Sequence, residues 1–283
     1  MATGVRGNKE VYALYGVEST HGTAVSAATS CGYVTSASVK FGNKAKIYDG
    51  LGDQQVARYG GIEASADVKF LGQDAQKSFA ALAYRSVGVL GSNSLEVGST
   101  DFGMKLVGAK ADGITYDWGF DKPLEMSIPW KGIYAVNTAG GTMATLAGEF
   151  ADWLLCVVTG GFAALKPVQG SLQMSNGCVV SDPHLGSKTT GQVRRSDAVK
   201  EGNGDSGGNI ELLLPYAVDP GGDSPTLLTT TLTFTFTSTP TTTWVVALAS
   251  ANDDGGDESV ESGDGIHIYK RDLKARRTAL SQT

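Results

Sequence analysis

Several short segments of this chain alternate between apolar and polar residues, which is the pattern of a strand with one buried face. The segment IEASADVKFL places Ile62, Ala64, Ala66, Val68 and Phe70 on one face, and GYVTSASVKFGN alternates in the same way. The chain also holds 38 glycines, about twice the usual share of roughly 7%. Alternating segments separated by glycine-rich turns predict a mainly β protein.

The first half of the chain shows a definite order of elements. The strands over 32–43 and 62–71 are separated by a long loop, and further strands are expected over 101–110 and 124–136, with a turn region over 113–123. A helix is predicted over 72–87, because Asp74 suits a helix start and Phe79, Leu82 and Ala83 lie at helical spacing.

The second half repeats this order more loosely. Strands are expected over 170–180, 209–218, 226–238, 241–251 and 266–280, with a polar loop over 181–208 and an acidic loop over 252–265. The segment 141–160 between the halves has helical apolar spacing and predicts a linking helix. Its apolar positions are Leu146, Phe150, Trp153, Leu154 and Val157. The predicted organisation is a β domain over 1–140, the linking helix over 141–160, and a second β domain over 161–283.

The charge and hydropathy of the chain limit its partners. The net charge of −6 argues against a protein that grips nucleic acid by a cationic surface, but it suits a wall that nucleic acid slides past. No apolar stretch approaches the roughly 20 residues that span a bilayer, so membrane insertion is not expected. Residues 1–10 lack an apolar signal region, so no secretion signal is expected.

The sequence GDSGG around Ser206 matches the active-site signature of chymotrypsin-like serine proteases. Such an enzyme needs a histidine base and an orienting acid, yet His21, His184 and His267 lack the sequence context of that base. The favoured interpretation is a turn before the strand over 209–218. A serine hydrolase that uses Ser206 with His21 or His184 is the alternative.

Other chemical motifs are not found in the sequence. No phosphate-binding glycine loop is present, and the histidines are too scattered for a metal site. Cys31, Cys156 and Cys178 are interpreted as reduced, partly buried thiols. Catalytic, cofactor and metal sites are therefore not expected. A glycan-binding sandwich that uses exposed aromatics such as Trp118, Trp130 or Trp244 is a further alternative.

Opposite charges stand close together near the C-terminus, and we predict that they act at an interface between copies of the chain. A tight hairpin is not expected to pair all of them internally. The candidate interface residues are Asp253, Asp254, Asp257, Glu258, Glu261, Lys270, Arg271, Lys274, Arg276 and Arg277.

Three segments resemble the tail tube proteins of tailed bacteriophages and archaeal tailed viruses. YALYGVESTHGTAV is similar to the segment with which these proteins enter their first sheet, GGIEASADVKFLGQDAQKSFAAL to their next strand and helix, and GIHIYKRDLKARRTAL to their last strand. The resemblance implies two tandem tube-like β-sandwich or barrel domains with few flanking helices.

The resemblance also implies a structural virion protein without catalysis. Its copies would form homo-oligomeric rings, hexameric or trimeric and pseudo-hexameric, and the stacked rings would enclose a lumen for viral DNA and the tape-measure protein. The protein would be made in the host cytoplasm and reside in the virion tail. A baseplate hub or tail-terminator ring is the nearest alternative.

Overall fold

The computed structural model describes most of the chain. The described residues are 11–27, 29–43, 46–49, 55–58, 62–72, 76–85, 88–119, 122–141, 152–159, 166–181, 189–190, 193–194, 198–214, 231–237, 243–249, 251–260, 267–276, 278 and 280–283.

Strands dominate both halves of the chain. The first half contains β1 (Val11–Val17), β2 (Thr29–Ser30), β3 (Val34–Asn43), β4 (Lys46–Asp49), β5 (Gln55–Arg58), β6 (Ile62–Leu71), α1 (Lys77–Ala81), β7 (Asn93–Ser99), β8 (Phe102–Ala111), β9 (Gly113–Gly119), β10 (Lys122–Gly132) and β11 (Tyr134–Ala139). The second half contains β12 (Asp152–Thr159), β13 (Lys166–Ser175), β14 (Val179–Val180), β15 (Thr189–Thr190), β16 (Val193–Arg194), β17 (Val199–Lys200), β18 (Asp205–Leu214), β19 (Leu232–Thr237), β20 (Thr243–Leu248), β21 (Asn252–Val260), β22 (His267–Arg276) and β23 (Leu280–Gln282). The prediction of a mainly β protein is confirmed.

The same order of antiparallel strand pairing occurs in each half. In the first half, the ladders run β1–β7–β8–β11 and β3–β6–β10–β9. In the second half, they run β12–β19–β20–β23 and β13–β18–β22–β21. Each of the eight strands in the first set therefore has a counterpart at the same place in the second.

The core lies between the sheets and is built by the alternation that the sequence shows. In β6, Ala64, Ala66, Val68 and Phe70 are buried. In β10, the buried positions are Leu124, Met126, Ile128 and Trp130. Helix α1 covers this surface with Phe79, whose ring lies 5.1 Å from Phe70 and 5.8 Å from Trp130. Burial of each large apolar side chain contributes about 1.5–3 kcal/mol.

A bulge changes the predicted alternation of β3. The register with β6 shifts between Val34 and Ser36, so Val34 packs against the core together with Ala37 and Val39. Strict alternation predicted Val34 on the opposite face. An extra residue in one strand of an antiparallel pair reverses the side-chain direction beyond it.

The linking helix predicted over 141–160 is wrong over 152–159, where the chain forms β12. Val157 to Thr159 pair with Thr235 to Thr233 of β19. A short apolar run fits a buried strand and a buried helix equally, and β-branched residues favour the strand. The remaining candidate positions, Leu146 and Phe150, lie outside the described residues.

Further elements differ from the predictions. The long loop before β6 contains the paired strands β4 and β5, and the polar loop over 181–208 contains β15, β16, β17 and the start of β18. The turn region over 113–123 contains β9, in which Ile114, Tyr116 and Trp118 are buried and alternate with polar residues. The acidic loop contains β21, because its backbone pairs with β22 despite a composition that disfavours strands. Of the predicted helix over 72–87, the structure describes 72 and 76–85 and no further part, and α1 is the α-helix among these residues. Successive i to i+3 hydrogen bonds at Leu82, Ala83 and Tyr84 form tight turns that end it.

Candidate assembly interface

The two halves join through a backbone ladder between β9 and β13. The pairs run from Trp118 opposite Gly170 to Gly113 opposite Ser175. This ladder continues the sheet of the first half into that of the second, in the order β3–β6–β10–β9–β13–β18–β22–β21. The joint is head-to-tail, because the last strand of one sheet pairs with the first strand of its counterpart.

Aromatic packing behind the ladder ties the cores of the halves together. The Trp118 ring lies 4.9 Å from Phe234 and 5.5 Å from Phe236, both on β19. Gly170 makes room for this ring, since a Cβ atom there would lie 2.6 Å from Trp118 Cζ2. Tilted aromatic pairs at such distances contribute about 0.5–1.5 kcal/mol beyond their buried area.

A chain of polar side chains crosses the joint beside helix α1. The Tyr84 and Tyr116 hydroxyls lie 2.9 Å apart, and Tyr116 donates to Gln282 Oε1 on β23. Gln282 Nε2 in turn donates to the Lys77 carbonyl of α1 at 3.4 Å. Burial raises the pKa of both tyrosines, so the phenols stay neutral and serve as hydrogen-bonding groups.

The connection between β13 and β18 docks on the first half through residues 176–181 and 198–202, which we call the second-half ribbon. β14 and β17 pair within it. Glu201 lies 3.2 Å from Arg85 Nε and 2.8 Å from Lys110 Nζ, and it accepts the Leu90 amide at 3.0 Å. Burial acts to raise the pKa of Glu201, but Lys110, the Leu90 amide and Arg85 together hold it below 4.5. The carboxylate is therefore charged when it docks.

The start of the ribbon is fixed by amide and carboxylate bonds. Asn176 is fully buried, and its Nδ2 donates to the carbonyls of Ala83 at 2.8 Å and Ala111 at 3.0 Å. The Cys178 amide donates to Asp112 Oδ1 at 2.6 Å. Lys131 Nζ lies 3.0 Å from Asp112 Oδ2 and donates to the Cys178 carbonyl.

The ESTHG motif organises the first half around a buried carboxylate. Glu18 Oε2 accepts the Gly22 amide at 2.9 Å and the Ser92 hydroxyl at 2.7 Å. Glu18 Oε1 accepts the Ser94 hydroxyl at 2.8 Å and the Gly108 amide at 2.9 Å. The motif thus fastens the end of β1 to β7 and β8. In the sequence these residues carried a resemblance and, at His21, a candidate base, and only the local bond to Gly22 is foreshadowed by their spacing.

Two strands form the ends of the eight-stranded sheet. In the part of the chain that the structure describes, β3 pairs only with β6 and β21 only with β22. Each strand leaves one row of backbone N–H and C=O groups directed away from its partner. Such edges template pairing with another chain.

The predicted interface residues fall on two adjacent strands. Asp253, Asp254, Asp257 and Glu258 are positions of the edge strand β21, while Lys270, Arg271, Lys274 and Arg276 belong to β22, between β21 and β18. The register sets Asp257 opposite Lys270, so the hairpin brings acidic and basic positions together within one chain. Glu261 and Arg277 lie outside the described residues. Their role at an interface stays a prediction.

The serine signature begins a strand, so the predicted turn there is wrong. Ser206 is buried in β18, and its hydroxyl donates to the Arg276 carbonyl at 2.6 Å. His21 directs its ring nitrogens to Ser92 and to the Val199 amide, and His267 lies opposite Leu214 in β22. His184 lies outside the described residues.

Cys31 and Cys178 carry free thiols. Cys31 and Cys178 are buried, and burial raises the pKa of both, to about 12 for Cys178. Within the described ranges, no group of three or more histidine, cysteine, aspartate or glutamate side chains is arranged to hold a metal ion. Nor is any helix there long and apolar enough to cross a membrane.

No protein family model matches the chain, and no curated protein matches it in sequence.

Proposed function

We propose that this chain is a tail tube subunit with two tandem β domains, and that three copies close a ring by pairing β21 of one copy with β3 of the next. Stacked rings would form the channel through which viral DNA passes. The observation that carries this proposal is the head-to-tail joint between β9 and β13. A head-to-tail contact that repeats gives a ring when its rotation closes and an open helix when it does not.

The strand counterparts specify how copies would meet. Since β21 occupies the place of β9, and β3 the place of β13, the free edges match the two strands already paired inside the chain. A second copy could therefore repeat the internal joint without a new mode of contact. Pairing of this kind would also cover the edges that otherwise favour aggregation.

The counterparts also give a register for the contact between copies. AKADGITYD aligns with ASANDDGGD, which makes Asp117 and Asp257 equivalent, and SASVKFGN aligns with SLQMSNGC, which makes Ser36 and Ser171 equivalent. Asp117 pairs with Ser171 inside the chain. We therefore expect Asp257 to pair with Ser36 of a neighbouring copy. The same register sets Asp253 opposite Lys40, a pairing of opposite charges that favours this alignment.

The burial of β3 supports a missing neighbour. In β13, Leu172 and Met174 are 0% and 3% exposed beneath the joint. Their counterparts Ala37 and Val39 are only partly buried, and Phe41 farther along β3 is 59% exposed. A strand added to this edge would remove apolar area from water, at about 25 cal/mol per Å².

The face of the eight-stranded sheet away from the core suits a water-filled channel. One row across five neighbouring strands consists of Glu125, Asp117, Ser171, Asn209 and Asp272. Carboxylate, hydroxyl and amide groups on such a wall hold water and do not bind phosphate as a row of cations would. The net charge of −6 agrees with this use.

Cysteine cross-linking tests the contact between copies. Residues directly opposite in antiparallel strands have Cα atoms about 4.5–5.5 Å apart, within the range of a disulfide. Mild oxidation of the Ser36→Cys, Asp257→Cys double variant should give linked dimers and closed trimers on a denaturing gel. The matched control is Ser36→Cys with Glu258→Cys, one residue out of register, which should link poorly. Equal linking in both variants, or in neither, contradicts the proposed contact.

Negative-stain microscopy tests the function itself. Stacked rings that grow into tubes are expected for a tail tube, whereas single rings that never elongate indicate a hub or terminator. Dispersed monomers under all polymerising conditions would count against every ring-forming function.

A further inference from the structure

His21 makes two hydrogen bonds that fix the protonation state of its ring. Nδ1 lies 2.7 Å from Ser92 Oγ, and Nε2 accepts the Val199 amide at 3.3 Å. Ser92 donates its own hydrogen to Glu18 Oε2, so its oxygen is left to accept from Nδ1–H. An imidazole that donates at Nδ1 and accepts at Nε2 is neutral.

The bond from Val199 joins the two halves of the chain. His21 belongs to the turn after β1, whereas Val199 begins β17 in the second-half ribbon and is 2% exposed. Glu201 is another anchor near β17, and it contacts Arg85, Lys110 and the Leu90 amide. His21 is thus a side chain of this contact that changes charge near neutral pH.

We propose that His21 is an acid-sensitive latch between the halves: a proton taken up at Nε2 sets two donors against each other and releases the second-half ribbon at β17. The bond from the Val199 amide is lost, and the partly buried imidazole gains a charge that water solvates better than the protein does. This inference does not depend on ring formation or on a role in virions.

The charges around His21 determine the pH at which the latch opens. Burial lowers the pKa of His21 below its usual 6.5, and Lys110 on β8 lowers it further, while Glu18 opposes both. Two further charges lie near Lys110. Glu201 of the ribbon pairs with Arg85, which follows α1, and the two neutralise each other.

The direction of the pH effect follows from these shifts. The imidazole binds a proton more weakly when docked than when released, so docking is complete above the released pKa of about 6.5 and weakens as the pH falls below it. Glu201, with a pKa held below 4.5, loses its charge only in more acidic solution. Loss of docking that begins below about pH 6.5, while Glu201 is still charged, is therefore attributable to His21.

Hydrogen exchange of the full chain tests the latch. Protection of the Val199 amide, corrected for intrinsic exchange, should fall about tenfold per pH unit between the docked and released pKa values. The variant His21→Gln keeps an acceptor, Oε1, that does not titrate, so its protection should not change over this range. Amides of β10 serve as the internal control for global unfolding.

Three results would overturn the latch. One is protection of Val199 in the natural chain that does not change between about pH 8 and pH 5. Another is an equal loss of protection in His21→Gln. If that variant fails to dock at any pH, ¹⁵N shifts of the His21 ring in the natural chain decide the question. The fall in Val199 protection must end at the pH where the ring of the docked chain titrates, and a fall that ends at another pH contradicts the latch.

Discussion

Replacing Glu18 with glutamine tests whether the carboxylate of the ESTHG motif organises the first half. Each carboxylate oxygen accepts one backbone amide and one serine hydroxyl. In Glu18→Gln, a side-chain NH₂ donor replaces one of the two oxygens. Whichever oxygen is replaced, the NH₂ faces a backbone N–H donor that cannot rotate away. Two bonds to a charged acceptor are lost, at about 1.5–3 kcal/mol each, and about 1 kcal/mol returns if the new amide donates to a serine. We expect the free energy of unfolding to fall by about 2–5 kcal/mol.

Urea unfolding followed by tryptophan fluorescence measures this loss, because Trp118, Trp130 and Trp244 are buried. The matched control is Asp205→Asn, which neutralises an exposed carboxylate and should change stability by less than about 0.5 kcal/mol. A loss below about 1 kcal/mol in Glu18→Gln would refute the view that the four donors require a carboxylate.

Further substitutions examine the joint, the serine and the charged strand. Trp118→Ala should lower the free energy of unfolding by about 3–5 kcal/mol, and a loss under about 1 kcal/mol would mean that Phe234 and Phe236 do not hold the joint. Ser206→Ala should cost about 1 kcal/mol, and a fluorophosphonate probe should leave Ser206 of the natural chain unlabelled; labelling would restore the hydrolase hypothesis. Charge reversal at Lys274, Arg276 and Arg277 should slow polymerisation with little change in monomer melting, because exposed ion pairs contribute only about 0–1 kcal/mol each. High salt should also slow polymerisation. Normal tube growth in the variant would contradict the assembly role.

The strands that the sequence predicted well are those whose pattern is local. β6 alternates without interruption, and its apolar face is the buried face. The run WLLCVV in β12 carries no such information, because every position is apolar and the partner strand β19 lies about eighty residues away. In β21, aspartates and glycines disfavour a strand locally, and pairing with β22 overrides that preference.

The contacts between the two halves were harder to predict, because they join parts of the chain that lie far apart in sequence. Glu201 meets Lys110 and Leu90, and Val199 meets His21 across 178 positions. The separation of these residues in the sequence does not indicate that they are in contact. The charged C-terminal residues were visible because they stand together, yet the register that sets Asp257 opposite Lys270 became apparent only in the fold.

The covalent connection between β9 and β13 has a kinetic consequence for the proposed ring. This seam forms within one chain at an effective concentration in about the millimolar range, whatever the dilution of the protein. Only the seam between β21 and β3 depends on how often two molecules meet. A ring of three such chains therefore needs two encounters before its last seam closes within the assembly, where six separate domains would need five. We expect rings to persist at dilutions that would dissolve a ring of unlinked domains, and sedimentation over a dilution series can compare the two.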